Sequence, residues 1–299
     1  NGDTKRPLIY LMIAGVLNVI FNLFFVIVCS MAEDGVALAS IITQYISAFL
    51  ILMHLAKSND NCTFCLKDLK NGIDKRERDR ILSLGIPAGF QNSIFAIANL
   101  FIQGAVNSFD SVMVEGNSAA ANADTIIYNV MAAFYTACSS FMGQNLGAEK
   151  RDRVIKSYFI GITYSFLTGA LLGLALFLFG REFLSFFTNE EAVISAGLQR
   201  TGIMCFSYAF SAFMDCTIAA SRGIGKSLVP TIIVIMGSCV FRVVWIYTIF
   251  AHFHTIPSLY LLYIFSWLIT ACAEIIYFAI SYKKLNKVSS LSLYEREKF

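Results

Sequence analysis

Long apolar runs recur along the chain, separated by short polar stretches. Five of them contain no Asp, Glu, Lys or Arg: residues 8–28, 35–56, 81–109, 125–148 and 157–180. Three more hold a single charge each, namely 201–221 with Asp215, 227–251 with Arg242 and 255–282 with Glu274. Each is long enough for the ~20 residues that cross the hydrocarbon core of a bilayer. Lipid offers no partner to an exposed backbone N–H or C=O, so only helices or a closed barrel can span it. Barrel strands alternate between apolar and polar residues, and these runs are continuous. The pattern predicts an all-α, polytopic membrane helical bundle of eight transmembrane helices, numbered here as crossings one to eight.

Composition points to the same solvent. Of 299 residues, 57% are hydrophobic and 14% charged, against about 25% charged in a soluble domain. The expected partner is the lipid bilayer, and a net charge of +3 gives no reason to expect nucleic acid. Where the basic residues fall is more informative. Of the 23 Lys and Arg, all except Arg181, Arg200 and Arg242 lie on one side of the alternating crossings. Cytoplasmic loops are enriched in these residues, so both ends of the chain are expected in the cytoplasm, in a multi-pass protein of the inner or plasma membrane. Arg200 is read as standing near the outer entrance of crossing six.

The boundaries follow. Residues 1–56 hold two crossings, 57–80 a cytoplasmic connector, 81–285 six crossings and 286–299 a tail. The connector's charged stretch 74–80 suits a solvated amphipathic helix or a contact with anionic lipid; its mixed signs favour a plain connector. Six of the eight Cys stand singly in or beside apolar runs, as core residues do. Cys62 and Cys65 form one C-x-x-C in the connector, short of the four ligands of a structural zinc site. No metal or cofactor is expected, and no nucleophile–base pair or phosphate loop supports an enzyme. The chain opens at Asn1 without an initiator Met or a signal-peptide pattern, and reads as a fragment or a processed chain.

Motifs in order along the chain resemble the multidrug and toxic compound extrusion (MATE) family of the MOP superfamily. Leu84-Gly-Ile-Pro-Ala-Gly-Phe-Gln-Asn92 resembles the start of the helix that opens each half of that family. Gly143-Gln-Asn-Leu-Gly-Ala148 resembles the end of the following helix, and Ser221-Arg-Gly-Ile-Gly-Lys-Ser-Leu-Val-Pro230 the loop between its tenth and eleventh. Leu17-Asn-Val-Ile-Phe-Asn22 resembles an Asn-x-x-x-Asp element of its fifth, with Asn22 in place of the acid. The resemblance implies that crossings one and two are the last two helices of a first lobe, and crossings three to eight a complete second lobe. Treating Asn18 and Arg242 as equivalent positions of two repeated halves places about four further crossings ahead of Asn1.

Charge inside a membrane helix is costly, from ~2.5 kcal/mol upward, so each instance is a candidate for function. At a ~1.5 Å rise per residue, Asp215 lies ~10 Å from the basic end at Arg222, Glu274 ~13 Å from Lys283, and Arg242 ~21 Å from Ser227. Asp215, Glu274 and Arg242 are the ion-coupling candidates. Arg242 is equally a buried ion-pair partner that holds the bundle together. A carboxylate in a partly desolvated cavity is suited to exchange a proton or hold a cation, which favours Asp215.

Crossing three carries Asn92, Asn99, Gln103 and Asn107 at spacings of seven, four and four, on one helix face. Such a stripe lines a cavity or hydrogen-bonds another helix. Crossing four adds Asp124, Tyr128, Asn129 and Tyr135, whose rings and polar groups suit flat organic cations through cation–π contact. Gly169 and Gly173 form a G-x-x-x-G that predicts close helix packing, within the bundle or in a dimer. Pro87 and Pro230 are expected near helix starts.

The resemblance implies a secondary active antiporter, monomeric, that exports drugs and other toxic organic compounds, often cationic, in exchange for Na+ or H+. The alternative in the same superfamily is a flippase for lipid-linked saccharides, whose anionic headgroups call for several Arg or Lys. With Arg242 read as the one fully intramembrane base, that alternative is disfavoured. A non-transporting membrane scaffold has no need of buried carboxylates.

Overall fold

A computed structural model describes residues 5–57 and 74–296, with side chains to residue 285. The Cys62–Cys65 pair and most of the connector lie outside the described residues. Among them, eight helices are long and apolar enough to cross a membrane: α1 (Lys5–Val28), α2 (Glu33–Lys57), α3 (Lys75–Val106), α4 (Ser111–Gly147), α5 (Arg151–Leu178), α7 (Glu191–Gly223), α8 (Leu228–Phe253) and α9 (Ile256–Arg296). A short α6 (Gly180–Ser185) follows α5. Large side chains such as Leu100, Leu171 and Ile276 stand exposed along these helices, as lipid-facing residues do. The chain divides into two compact units, Asn1–Arg78 and Asp79–Phe299.

The first unit is a helical hairpin. Gly35, Ala39, Thr43 and Ser47 recur every fourth residue as the buried stripe of α2, and small side chains there let α1 approach closely. Asn18 on α1 donates to Thr43 Oγ1 at 3.1 Å, and Asn22 donates to Asn18 Oδ1 at 3.0 Å. Asn22, which stands where the family element has an acid, is thus part of an amide relay that needs no charge.

The second unit is built around α7, two thirds of whose apolar window is buried, the largest share among the spans. Its Thr201, Ser207, Ser211 and Thr217 hydroxyls donate to carbonyls three or four residues back, so polar side chains enter the core with their donors satisfied. Glycine makes the close crossings possible. A Cβ at Gly116 would stand 2.7 Å from the backbone nitrogen of Gly197, and one at Gly169 3.1 Å from the Tyr208 carbonyl oxygen. Gly173 lies against the Cys205 carbonyl in the same way. The G-x-x-x-G stripe of α5 therefore packs on α7 within the chain.

Three expectations about helix limits are corrected. The charged stretch from Lys75 is the first two turns of α3 itself, with the Asp74 carboxylate accepting from Arg76 N–H at 2.8 Å, so Pro87 lies in the helix interior. Helix α4 begins at Ser111, where Asp110 caps it by accepting from Met113 N–H at 2.9 Å; the polar residues before 125 are helical too. Arg200 is not at an entrance, for α7 begins at Glu191 and carries Arg200 ~14 Å into its length. Pro230 does stand in the first turn of α8.

Candidate functional site

A cavity of about 540 Å³ opens inside the second unit, walled by α3, α4, α7, α8 and α9. That size suits a drug-like molecule. Of the expected residues, Asn99, Gln103, Asp124, Tyr128, Asn129, Tyr135, Asp215 and Arg242 line it. Asn92, Asn107 and Glu274 do not. Asn92 is exposed on α3 and Asn107 in the turn just after it, where Asn107 Oδ1 accepts from Gln103 Nε2 at 2.9 Å. Neighbouring Gln91 turns inward instead; its Oε1 accepts from Arg222 Nη2 at 2.9 Å and from Thr231 Oγ1 at 3.3 Å. Glu274 is fully buried on α9, and neither carboxyl oxygen has a hydrogen-bond partner.

Two pairs of opposite charge line the cavity, and they behave differently. Asp124 on α4 is closed: Arg200 Nη1 donates to its Oδ1 at 3.3 Å, Arg200 Nη2 to its Oδ2, and Tyr208 Oη also to its Oδ1. The Arg200 guanidinium lies 5.5 Å over the Tyr260 ring, whose hydroxyl donates to Asn117 Oδ1 at 2.7 Å. This cluster locks α4, α7 and α9 together. Arg200, Tyr208 and Asn117 are site residues that sequence reasoning passed over. Among the described residues two Arg rather than one are buried within the spans, Arg200 as well as Arg242.

Asp215 on α7 and Arg242 on α8 remain open. Neither has an ion-pair partner among the described residues, which removes the reading of Arg242 as half of a standing ion pair. Arg242 Nε donates to Ser266 Oγ at 3.1 Å, and its guanidinium stands 4.6 Å from the Tyr263 ring centre, 5.6 Å from Phe95 and 5.7 Å from Trp267. Tyr128 meets Tyr208 and Trp267 edge-on, completing an aromatic wall. The cavity wall therefore carries an uncommitted carboxylate together with flat π surfaces, a combination chemically suited to an organic cation or a small cation. No group of three or more His, Cys, Asp or Glu placed to hold a metal ion occurs among the described residues.

Comparison with known proteins places this architecture. The family profile described as MatE matches residues 87–248. The probable multidrug resistance protein YpnP of Bacillus subtilis is 29% identical over 209 residues, 70% of this chain and 46% of that protein. The probable multidrug resistance protein NorM of Thermotoga maritima is 21% identical over 239 residues, 78% of this chain and 50% of its own. Among solved structures, an outward-facing MATE multidrug resistance transporter of the MOP superfamily superposes with a TM-score of 0.85 at 19% identity, over 96% of this chain and 64% of that one. A MOP superfamily transporter from Pyrococcus furiosus, described by the reverse polarity of its binding pocket, gives 0.85 at 19%, over 95% and 64%. The chain spans about half the length of the curated relatives it matches. With more than half of its residues inside the family match, and the same helical architecture, the chain belongs to the MatE family of membrane transporters.

Proposed function

We propose that the cavity is the substrate site of a secondary active antiporter that exports drugs and other toxic organic compounds in exchange for Na+ or H+, one lobe rocking against the other. The observation that carries this reading is the open Asp215: a half-buried carboxylate facing a drug-sized, aromatic-walled cavity with no ion-pair partner among the described residues. An ion and an organic cation would compete for it, and competition for one site is the simplest basis of exchange. The names of the relatives support the substrate class, and the basic end of the helices supports a cytoplasmic placement of both ends of this chain in the plasma membrane.

The flippase reading gains from Arg200 as a second buried base. Asp124 already holds that guanidinium, so an anionic headgroup would meet one uncommitted cation, and the antiporter stays ahead.

Cells expressing the intact protein are loaded with ethidium and placed under a Na+ gradient or a proton gradient, imposed separately. Efflux should follow one gradient and stop in Asp215→Asn. Absence of efflux under either gradient, in well-expressed protein, would favour lipid-linked substrates.

A further inference from the structure

Asp124 and Arg200 satisfy each other on facing helices, as buried opposite charges do when geometry allows. Asp215 and Arg242 line the same cavity and stay apart. Arg242 is 2% exposed, and its Nη2 has no hydrogen-bond partner. It is held by one hydrogen bond, from Nε to Ser266 Oγ, and by the faces of three rings. A guanidinium resting on aromatic faces while a carboxylate opens into the same space is half of a two-position arrangement.

The second position is within reach. Ser238 Oγ on α8 meets Met214 Sδ on α7 at 3.5 Å. Arg242 is four residues beyond Ser238, and Asp215 is one residue from Met214 in the opposite direction along the antiparallel helices, so the two lie about five residues of rise, ~7.5 Å, apart along the α7–α8 seam. The long arginine stem and the shorter aspartate side chain close that distance from the two sides. The backbone under Arg242 is also prepared to shift: Phe241–Trp245 is a short α-helical stretch bracketed by π-helical stretches Ile235–Val240 and Ile246–Phe250. Such segments collect at functional positions. Moving the ladder by one residue would turn the side chain by about 100°.

We propose that Arg242 is the cavity's own competitor for Asp215: when the carboxylate holds neither a coupling ion nor a cationic substrate, the guanidinium leaves the aromatic rings and closes on it. Loading of Asp215 returns Arg242 to the rings. The closed pair ties α7 to α8 and keeps an empty transporter from switching. Among the described residues, the other base lining the cavity, Arg200, is held by Asp124, and Arg222, two turns along α7 from Asp215 and outside the cavity, donates to Gln91. The inference rests on Asp215 as the cation site.

The test is the affinity of the purified intact protein for ethidium, followed by fluorescence at fixed pH and salt. Arg242→Gln removes the competitor, and binding tightens about tenfold, ~1.4 kcal/mol. Ser266→Ala frees the guanidinium from its resting hydrogen bond and weakens binding severalfold. A purely structural Arg242 would not produce opposite signs. Unchanged or weaker binding in folded Arg242→Gln overturns the inference, as does tighter binding in Ser266→Ala; if Arg242→Gln does not fold, the sign for Ser266→Ala decides alone. Loss of binding in Asp215→Asn without tightening in Arg242→Gln defeats this inference and leaves the cation site standing. Full binding in Asp215→Asn defeats both. Saturable binding of benzoate that disappears in Arg242→Gln would make Arg242 an anion seat and overturn the competitor role.

Discussion

Asp124 and Asp215 are both acids in membrane helices, yet their surroundings predict opposite responses to removal of the charge. Asp124→Ala strands Arg200, whose Nε already lacks a partner. Breaking such a buried pair costs about 3 kcal/mol or more, so the variant should show a large fall in thermal stability of the detergent-solubilised protein. Asp215→Asn breaks no ion pair and should melt within a few degrees of the parent while losing ion-coupled efflux. Equal stability losses would show that Asp215 is structural after all. Asp215, Arg242 and Asp124 were legible as charges or polar residues within or beside apolar runs. Arg200 was not, because a span delimited by charge stops where the charge stands. The signal was nonetheless present: Val193, Ile194, Gly197 and Thr201 repeat at helical spacing and are buried, which carries the helix back past Arg200. Gln91 and Asn92 differ by one position, and the choice between them depends on the rotation of α3, fixed by packing rather than by residue type.

The long apolar middles of the helices are legible in the sequence, and their ends are not. The starts of α3, α4 and α7 carry or adjoin charged residues, where an apolar scan stops; Asp74 and Asp110 accept from the first turns of α3 and α4, and Glu191 at the start of α7 pairs with Arg181. The π-helical stretches of α8 were invisible, since residues 235–250 contain no Pro, and Arg242, their one charge, does not reveal how the helix is wound. Close packing, by contrast, was legible in Gly169 and Gly173, though their partner helix was not. Gly173→Val should prevent α5 from seating on α7, and overpacking of this kind costs about 1–3 kcal/mol; a lower yield of monodisperse protein and a reduced melting temperature are expected. Gly104→Ala, where an added Cβ meets nothing within 4 Å, should be neutral or gain about 0.5–1 kcal/mol from helix propensity. Tolerance of valine at Gly173 would contradict the described α5–α7 contact.

At the scale of the whole molecule, eight spans and a one-sided distribution of Lys and Arg were evident from the chain alone, and the lipid-exposed apolar faces agree with them. The cavity was only partly foreseeable: its residues come from five helices, and no local pattern tells which faces converge. Orientation gives a direct prediction. A membrane-impermeant thiol reagent should gain a labelling site in intact cells when Asn189 is replaced by Cys, and no such gain should follow Gly225→Cys until the cells are opened; the reverse would invert the proposed topology. The most direct measurement concerns exchange at Asp215. Purified protein is titrated with ethidium while released protons, or Na+ in sodium-loaded samples, are counted. About one ion should be released per substrate bound, by the reciprocity of competing ligands, and none from Asp215→Asn; substrate binding at full affinity with no ion displaced from the parent protein would contradict exchange at this carboxylate.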